Sequence, residues 1–445
     1  MRLASTLVAI VVTGLARAAV AQTAPVQQPW LSDRRFGEGM GIRVGNLELH
    51  PGVAAELGYD SNYFQRSGEE DEPTIAAYRL RLTPSISLST LGAKRLGLNP
   101  GQPPAFTFRA SAYASYNELF AADSDYSEEV SDQRHVDVGV SLNAVVAPQR
   151  PFSLDLTGEY QRVGEASNEP DTQFAFDRGT ARGGAGLTWR PGGGLFEWRV
   201  GYDVVYNYFE SDTYELLENV QQTLSTRGRW RFLPRTALAY DGSYTFVRYL
   251  LDDPLLPQNG DILRSRIGLT GLVTNRLAFL GMIGWLATFY NGIPENADTP
   301  IGQAELKYFI MASPTMDPTA ATLGLSSIAV GYNRDVNNSY LAAFYVRDRI
   351  YANFSYFFGG VVLASLEGGY SFITNPEDVE FEESKQQRFD ARLFAEYRLS
   401  DIVGLNATVR YDSNSGDPVR ALNGNFVEDI DFQRWQAYAG VRVFW

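Results

Sequence analysis

Along most of the chain, apolar and polar residues alternate with a period of two, the mark of strands with one apolar and one polar face. Leu47, Leu49, Pro51, Val53, Ala55, Leu57 and Tyr59 share one parity; Glu48, His50, Gly52, Ala54, Glu56, Gly58 and Asp60 share the other. The alternation returns in Tyr78 to Leu88, Phe106 to Ala114, Val136 to Val146, Phe152 to Tyr160, Phe196 to Tyr208 and Val220 to Phe232. It continues in Leu238 to Phe246, Leu263 to Val273, Phe389 to Leu399 and Val403 to Tyr411. The last stretch, Gln433 to Trp445, sets Ala437, Ala439, Val441, Val443 and Trp445 against Gln436, Tyr438, Gly440 and Arg442.

The connections alternate too. Short breaks at Pro148 to Pro151, Pro191 to Gly194, Leu233 to Arg235, Asn275-Arg276 and Ser400-Asp401 take turns with longer polar links. The long ones are Gln65 to Pro73, Ala121 to Asp132, Gly164 to Phe176, Asp252 to Asp261, Asn375 to Gln387 and Ser413 to Asp431. Short periplasmic turns and long outer loops are the habit of transmembrane barrels. The expected fold is therefore all-β, an antiparallel transmembrane β-barrel of about eighteen strands, with sixteen as the alternative. A sheet survives in lipid only by closing its edges, so Leu47 to Tyr59 should pair with Gln433 to Trp445.

Two stretches test this expectation. Leu277 to Ile293 and Tyr351 to Leu366 carry no charge, which also suits a short membrane helix. Gly281, Gly284, Gly359 and Gly360 interrupt them, and helices and barrels seldom mix within one membrane unit, so strands apolar on both faces are expected, with an inward-folded loop over the inner one. A fully hydrated lumen beside Leu280 and Leu286 would contradict that cover. Between Thr322 and Phe372, Tyr340 to Phe358 reads as one strand interrupted by Arg347-Asp348-Arg349 or as two short ones.

Composition narrows the class. Tyr (25), Phe (26) and Trp (7) are plentiful enough for girdles at two membrane interfaces. Without Cys there is neither a disulfide framework nor a thiolate site, and a net charge of −14 disfavours nucleic acid as a partner. At the N-terminus, Arg2, the apolar run Leu3 to Leu15 and Ala19-Val20-Ala21 read as a signal peptide, residues 1–21. Residues 22–45 read as a periplasmic lead-in and 46–445 as the barrel of a Gram-negative outer membrane.

The polar parity holds the candidate chemistry. Arg79, Arg81, Arg109, Arg182, Arg199, Arg227, Arg229, Arg264, Arg266 and Arg392 are the expected channel-lining residues, interspersed with Glu56, Asp137, Asp155, Glu159, Asp203, Asp241, Asp390 and Glu396. Arginines in a pore can select anions or hydrogen-bond sugar carboxylates; singly, each is read more plainly as half of a cross-strand ion pair in a wet barrel. His50 and His135 are the only histidines and lie far apart, so neither a metal cluster nor a catalytic triad is supported, and no enzyme activity or cofactor is expected. Acidic groups at Glu69 to Glu72 and at Asp123, Asp125, Glu128, Glu129 and Asp132 suit either Ca²⁺ or a solvated loop.

Tyr438, Gly440, Val443 and Trp445 resemble the assembly signal of outer-membrane barrels, which implies the barrel assembly machinery as a partner. Leu49-His50-Pro51-Gly52-Val53, followed by Leu57-Gly58-Tyr59-Asp60-Ser61-Asn62-Tyr63-Phe64, resembles the opening strand of the outer-membrane β-barrel porin family associated with capsule and exopolysaccharide export. Ala395 to Asp401, leading to Tyr411-Asp412-Ser413-Asn414, is similar to its late hairpin. The resemblance implies a barrel in outer-membrane lipid that passes a polysaccharide beside a separate periplasmic export protein. It supplies no catalytic residues. The alternatives are a diffusion porin for small polar or anionic solutes and a non-transport surface barrel.

Overall fold

The computed structural model describes residues 41–69, 73–91, 105–148, 150–164, 178–191, 194–210, 215, 218–251, 259–290, 296–310, 326–338, 344–377, 382–420, 427–428 and 430–445. The expected signal peptide lies outside them.

The strands are β1 (Ile42–Val44), β2 (Leu47–Asp60), β3 (Ala77–Thr90), β4 (Phe106–Ala121), β5 (His135–Val146), β6 (Phe152–Val163) and β7 (Arg178–Trp189). Next come β8 (Phe196–Phe209), β9 (Asn219–Leu233), β10 (Thr236–Tyr249), β11 (Gly260–Leu272), β12 (Leu277–Tyr290), β13 (Asp298–Phe309) and β14 (Ser327–Asn338). The last are β15 (Phe344–Phe358), β16 (Val362–Asn375), β17 (Ser384–Arg398), β18 (Val403–Gly416), β19 (Val419–Arg420), β20 (Val427–Glu428) and β21 (Phe432–Phe444). Strands β2 to β18 and β21 pair antiparallel in chain order, and β21 returns to β2, closing a ring of eighteen. β1 folds back on the start of β2, and β19 with β20 makes a separate hairpin in the last loop.

Closure leaves no edge in hydrocarbon, where an unmet N–H or C=O is costly. The alternation of side chains then decides what meets lipid. Ile283 is 75% exposed and Leu57 67%, while Glu56 on the opposite parity is 4% exposed. Large apolar side chains exposed in this way all round a closed ring define an outer-membrane β-barrel, and place the chain in the bacterial outer membrane. Among the described residues no helix is long and apolar enough to cross a membrane.

The two rims differ. At the short-turn end, outward rings stack on one another: Phe152 on Trp189, Phe196 on Trp198, and Trp198 on Tyr240. Toward the loop end, outward aromatics hydrogen-bond to acids: Tyr116 to Glu118, Trp285 to Asp298, Tyr332 to Asp348 and Tyr244 to Asp261. Such rings, apolar in body and polar at the tip, suit a membrane interface. By its short turns the first rim faces the periplasm. The links 91–105 and 310–326 are the exceptions on that side, being as long as the outer loops.

The uncharged stretches are strands. Leu277 to Ile293 contains β12, and Tyr351 to Leu366 spans parts of β15 and β16 with a turn at Gly359 and Gly360, both at positive φ. Arg347-Asp348-Arg349 does not interrupt β15; it continues the alternation, with Arg347 buried and bonded to Ser371.

Candidate functional site

The inner wall is organised by one departure from the cylinder. β13 and β14 stay paired only as far as Gly302 opposite Arg334, whereas β14 and β15 remain paired to Asn338 opposite Phe344. The freed end of the β14–β15 hairpin turns inward over β12. Its Val336 and Phe344 bury against Leu286, Tyr290 and Ile301, and the Phe344 ring stacks on Tyr290 at 6.4 Å. From the inner face of β11, Arg264 reaches it, 2.8 Å from Asp335 and donating at 3.1 Å to the Val336 carbonyl. Leu286 is fully buried beneath it, so there the expected cover exists, made by strand ends; Leu280, 9% exposed, lies outside that cluster.

Around the rest of the wall, most arginines are held by carboxylates on nearby strands. Arg199 meets Asp155 with two bonds (3.0 and 2.6 Å), and Arg227 and Arg266 share Asp241 (3.2 and 3.1 Å). Arg392 lies 2.6 Å from Glu367, Arg349 2.6 Å from Asp390, and Arg81 3.6 Å from Glu56 while covering the Tyr438 ring. Arg79 is buried over Tyr63; Arg182 stands opposite Glu159 in register; Arg109 is exposed. Arg388 and Arg410 approach Asp412, Arg442 and Arg398 bind Glu396, and Arg434 chelates Asp60. Of these residues, Asp335, Arg349, Glu367, Asp412 and Arg434 were not placed on the inward parity by the alternation: Asp335, Arg349 and Glu367 lie in the stretch where strand boundaries were ambiguous, Asp412 just past the Val403 to Tyr411 alternation, and Arg434 at the start of the last strand. Between β13 and β16 the wall opens into a cavity of 220 Å³ lined by Glu305, Lys307, Ser327, Asn353, Ser355 and Glu367.

At the closing seam, the Tyr438 ring covers Gly58 so closely that a Cβ there would lie 2.1 Å from it. Pro51, one residue before Gly52, which pairs with the last residue of β21, cannot donate to Trp445; its carbonyl accepts from Trp445 N (3.0 Å), and His50 Nδ1 lies 3.1 Å from Trp445 O, positioned to supply the missing bond. His135 lies three strands round, at the loop end of β5, 2.7 Å from the Gln133 carbonyl. Among the described residues no group of three or more His, Cys, Asp and Glu could hold a metal. Asp123 instead caps a short 3-10 turn, and Glu129 pairs with Arg66 at 2.6 Å. Glu70, Asp71 and Glu72 lie outside the described residues.

No protein-family model matches the chain, and no curated protein matches it. Solved structures are similar to it. OpdK of Pseudomonas aeruginosa, solved with vanillate, aligns with a TM-score of 0.46 at 11% identity over 89% of this chain and 99% of its own. OccK2 (OpdF) of the same organism, solved with glucuronate, aligns with a TM-score of 0.46 at 10% identity over 89% and 98%. OccAB3 of Acinetobacter baumannii aligns with a TM-score of 0.46 at 9% identity over 90% and 100%.

Proposed function

We propose that this barrel is a diffusion channel for small polar solutes, anions among them. The observation that carries the reading is the burial of charged side chains inside the ring: Arg388, Arg434, Arg442 and Glu396 are 1–2% exposed. An empty ring of this strand number would enclose a wide aqueous lumen, in which inward arginines would be well hydrated. Here the inward charged side chains of β17, β18 and β21 are shut off from water, and the β14–β15 end packs over the inner face of β12. The inner wall is lined by fixed charges of both signs, which suits a small hydrated solute. Arg79, Arg81, Arg109, Arg182, Arg199, Arg227, Arg229, Arg264, Arg266 and Arg392 are its proposed lining.

The polysaccharide-export reading needs a passage that a chain of sugars can thread, and no feature of the described wall favours it. Purified protein in planar bilayers and in sugar- or carboxylate-challenged liposomes separates the readings. The expected result is steady conductance with a sharp size cut-off at small solutes. A silent barrel whose deletion abolishes a surface glycan would overturn the proposal in favour of export; a silent barrel with no such phenotype would favour a non-transport role.

A further inference from the structure

At the periplasmic mouth, three guanidinium groups lie close to one carboxylate, and two of them contact it. Arg190 follows β7, Glu197 is the second residue of β8, and Arg229 and Arg231 end β9 on its inward parity. Arg190 Nε donates to Glu197 Oε2 at 2.7 Å, and its Nη1 donates to the Pro148 carbonyl (2.8 Å) and Ser153 Oγ (3.2 Å). Arg190 thus engages both its Nε and its Nη1. Arg229 Nη2 stands 3.5 Å from the same Glu197 oxygen, while among the described residues its buried Nη1 has no hydrogen-bond partner. Arg231 is only 9% exposed, and its buried Nε has none either.

A buried cation without a counterion is costly, and buried N–H groups left unmet add to the cost. Elsewhere on this wall the sequence supplies a carboxylate, even where an Nε stays unmet as in Arg266: Asp155 for Arg199, Asp241 for Arg227 and Arg266. Here, among the described residues, Arg229 shares Glu197 with Arg190 and Arg231 pairs with no carboxylate. The guanidinium fork is also the group best shaped for two-point contact with a planar or tetrahedral oxyanion.

We propose that Arg229 and Arg231 form a binding site for a small oxyanion, the carboxylate or phosphate group of a solute, with Glu197 as a tethered competitor for the same charges. The inward parity of both arginines directs the site to solute rather than to lipid. Its part in passage rests on the channel reading above; its existence does not.

The test is equilibrium binding of inorganic phosphate, and separately of acetate, to the full-length barrel in detergent, followed by calorimetry. Phosphate should bind in a salt-sensitive way. Arg231→Gln and Arg229→Gln should each weaken it about tenfold, the loss of one charged hydrogen bond. Glu197→Gln should act in the opposite direction and tighten it, a result that a purely structural arginine cluster cannot give. Retention of the heat-modifiable folded band in gels identifies variants that still close. Absence of phosphate and acetate binding, or binding unmoved by all three substitutions in folded protein, overturns the site. Bilayers that stay silent while phosphate still binds would remove the channel reading and leave the site standing.

Discussion

Replacing Arg264 by Gln tests whether the inward end of β14 and β15 narrows the channel. Arg264 makes two charged contacts with that end, to Asp335 at 2.8 Å and to the Val336 carbonyl at 3.1 Å. In isolation such contacts contribute about 1.5–3 kcal/mol each. The Arg264 side chain is 24% exposed and that of Asp335 17%, so water screens part of this, and about 2 kcal/mol for the pair together is a fair estimate. That corresponds to roughly a thirtyfold rise in the released population. Release is opposed by Val336 and Phe344, whose burial against Leu286 and Tyr290 is untouched by the substitution. The expected result is therefore a more frequent high-conductance state, not a permanently open channel. Single-channel recording reads it directly. Because the chain has no cysteine, Val336→Cys provides a second readout: a hydrophilic maleimide should label it faster in the Arg264→Gln background. Unchanged conductance together with an unchanged labelling rate would refute the inference that Arg264 holds this end in place.

At the seam, Gly58→Val places a branched side chain where the Tyr438 ring now lies, and Tyr438 also carries the Arg81 guanidinium at 4.6 Å. Losing the cross-strand pair and the cation–π contact should cost about 1–3 kcal/mol, read as a lower temperature for loss of the heat-modifiable band. In the outer loop after β8, the Arg162 hydrogen bonds hold the Glu210 carboxyl below its ordinary range. A carboxyl depressed by folding adds stability above its unfolded pKa and loses it as pH falls through the lowered value. Arg162→Gln should therefore lower stability at neutral pH, and the gap from wild type should close in acid; a gap independent of pH would contradict the linkage. Replacing Trp445 by Gly, or Tyr438 by Ala, should reduce the amount of protein reaching the outer membrane more than it reduces the yield of detergent refolding, if these residues act as the proposed assembly signal; equal losses in both assays would assign them a packing role alone.

The barrel was legible because one physical rule, lipid outside and water inside, writes itself into every strand as parity. Leu57 and Glu56 are adjacent in sequence and at opposite extremes of exposure. What parity does not encode is where the ring departs from a cylinder. Val336 and Phe344 sit on the parity that elsewhere in β14 and β15 faces outward, as Ile328 and Ile350 do, and they are buried because the hairpin has turned inward. The only hint was indirect: Leu280, Met282 and Leu286 make the inner face of β12 apolar, which calls for a cover without saying which segment supplies it. Ion pairing was equally half-written. The arginines were visible on the polar parity, but which carboxylate each meets depends on register, and Arg264 skips two strands to find Asp335.

Register also explains why the seam carries so much side-chain reinforcement. Every other junction joins strands close in sequence, so each hairpin can form early at little entropic cost; β2 and β21 meet only after the whole ring has been traversed. The backbone ladder there is no denser than elsewhere, and Pro51 removes one of its donors. Asp60 and Arg434, 374 residues apart in sequence, compensate with an almost fully buried ion pair in which both Nε and Nη2 of Arg434 donate to the carboxylate, and Gln436 donates to the same carboxylate at 2.9 Å. Breaking such a pair from one side leaves an uncompensated buried charge. Asp60→Asn should therefore impair closure more severely than Gly58→Val, and a joint Asp60→Leu, Arg434→Leu replacement, which removes both charges, should recover part of the loss. If the double variant folds no better than the single one, the pair matters for its hydrogen bonds, including that of Gln436, rather than for balanced charge.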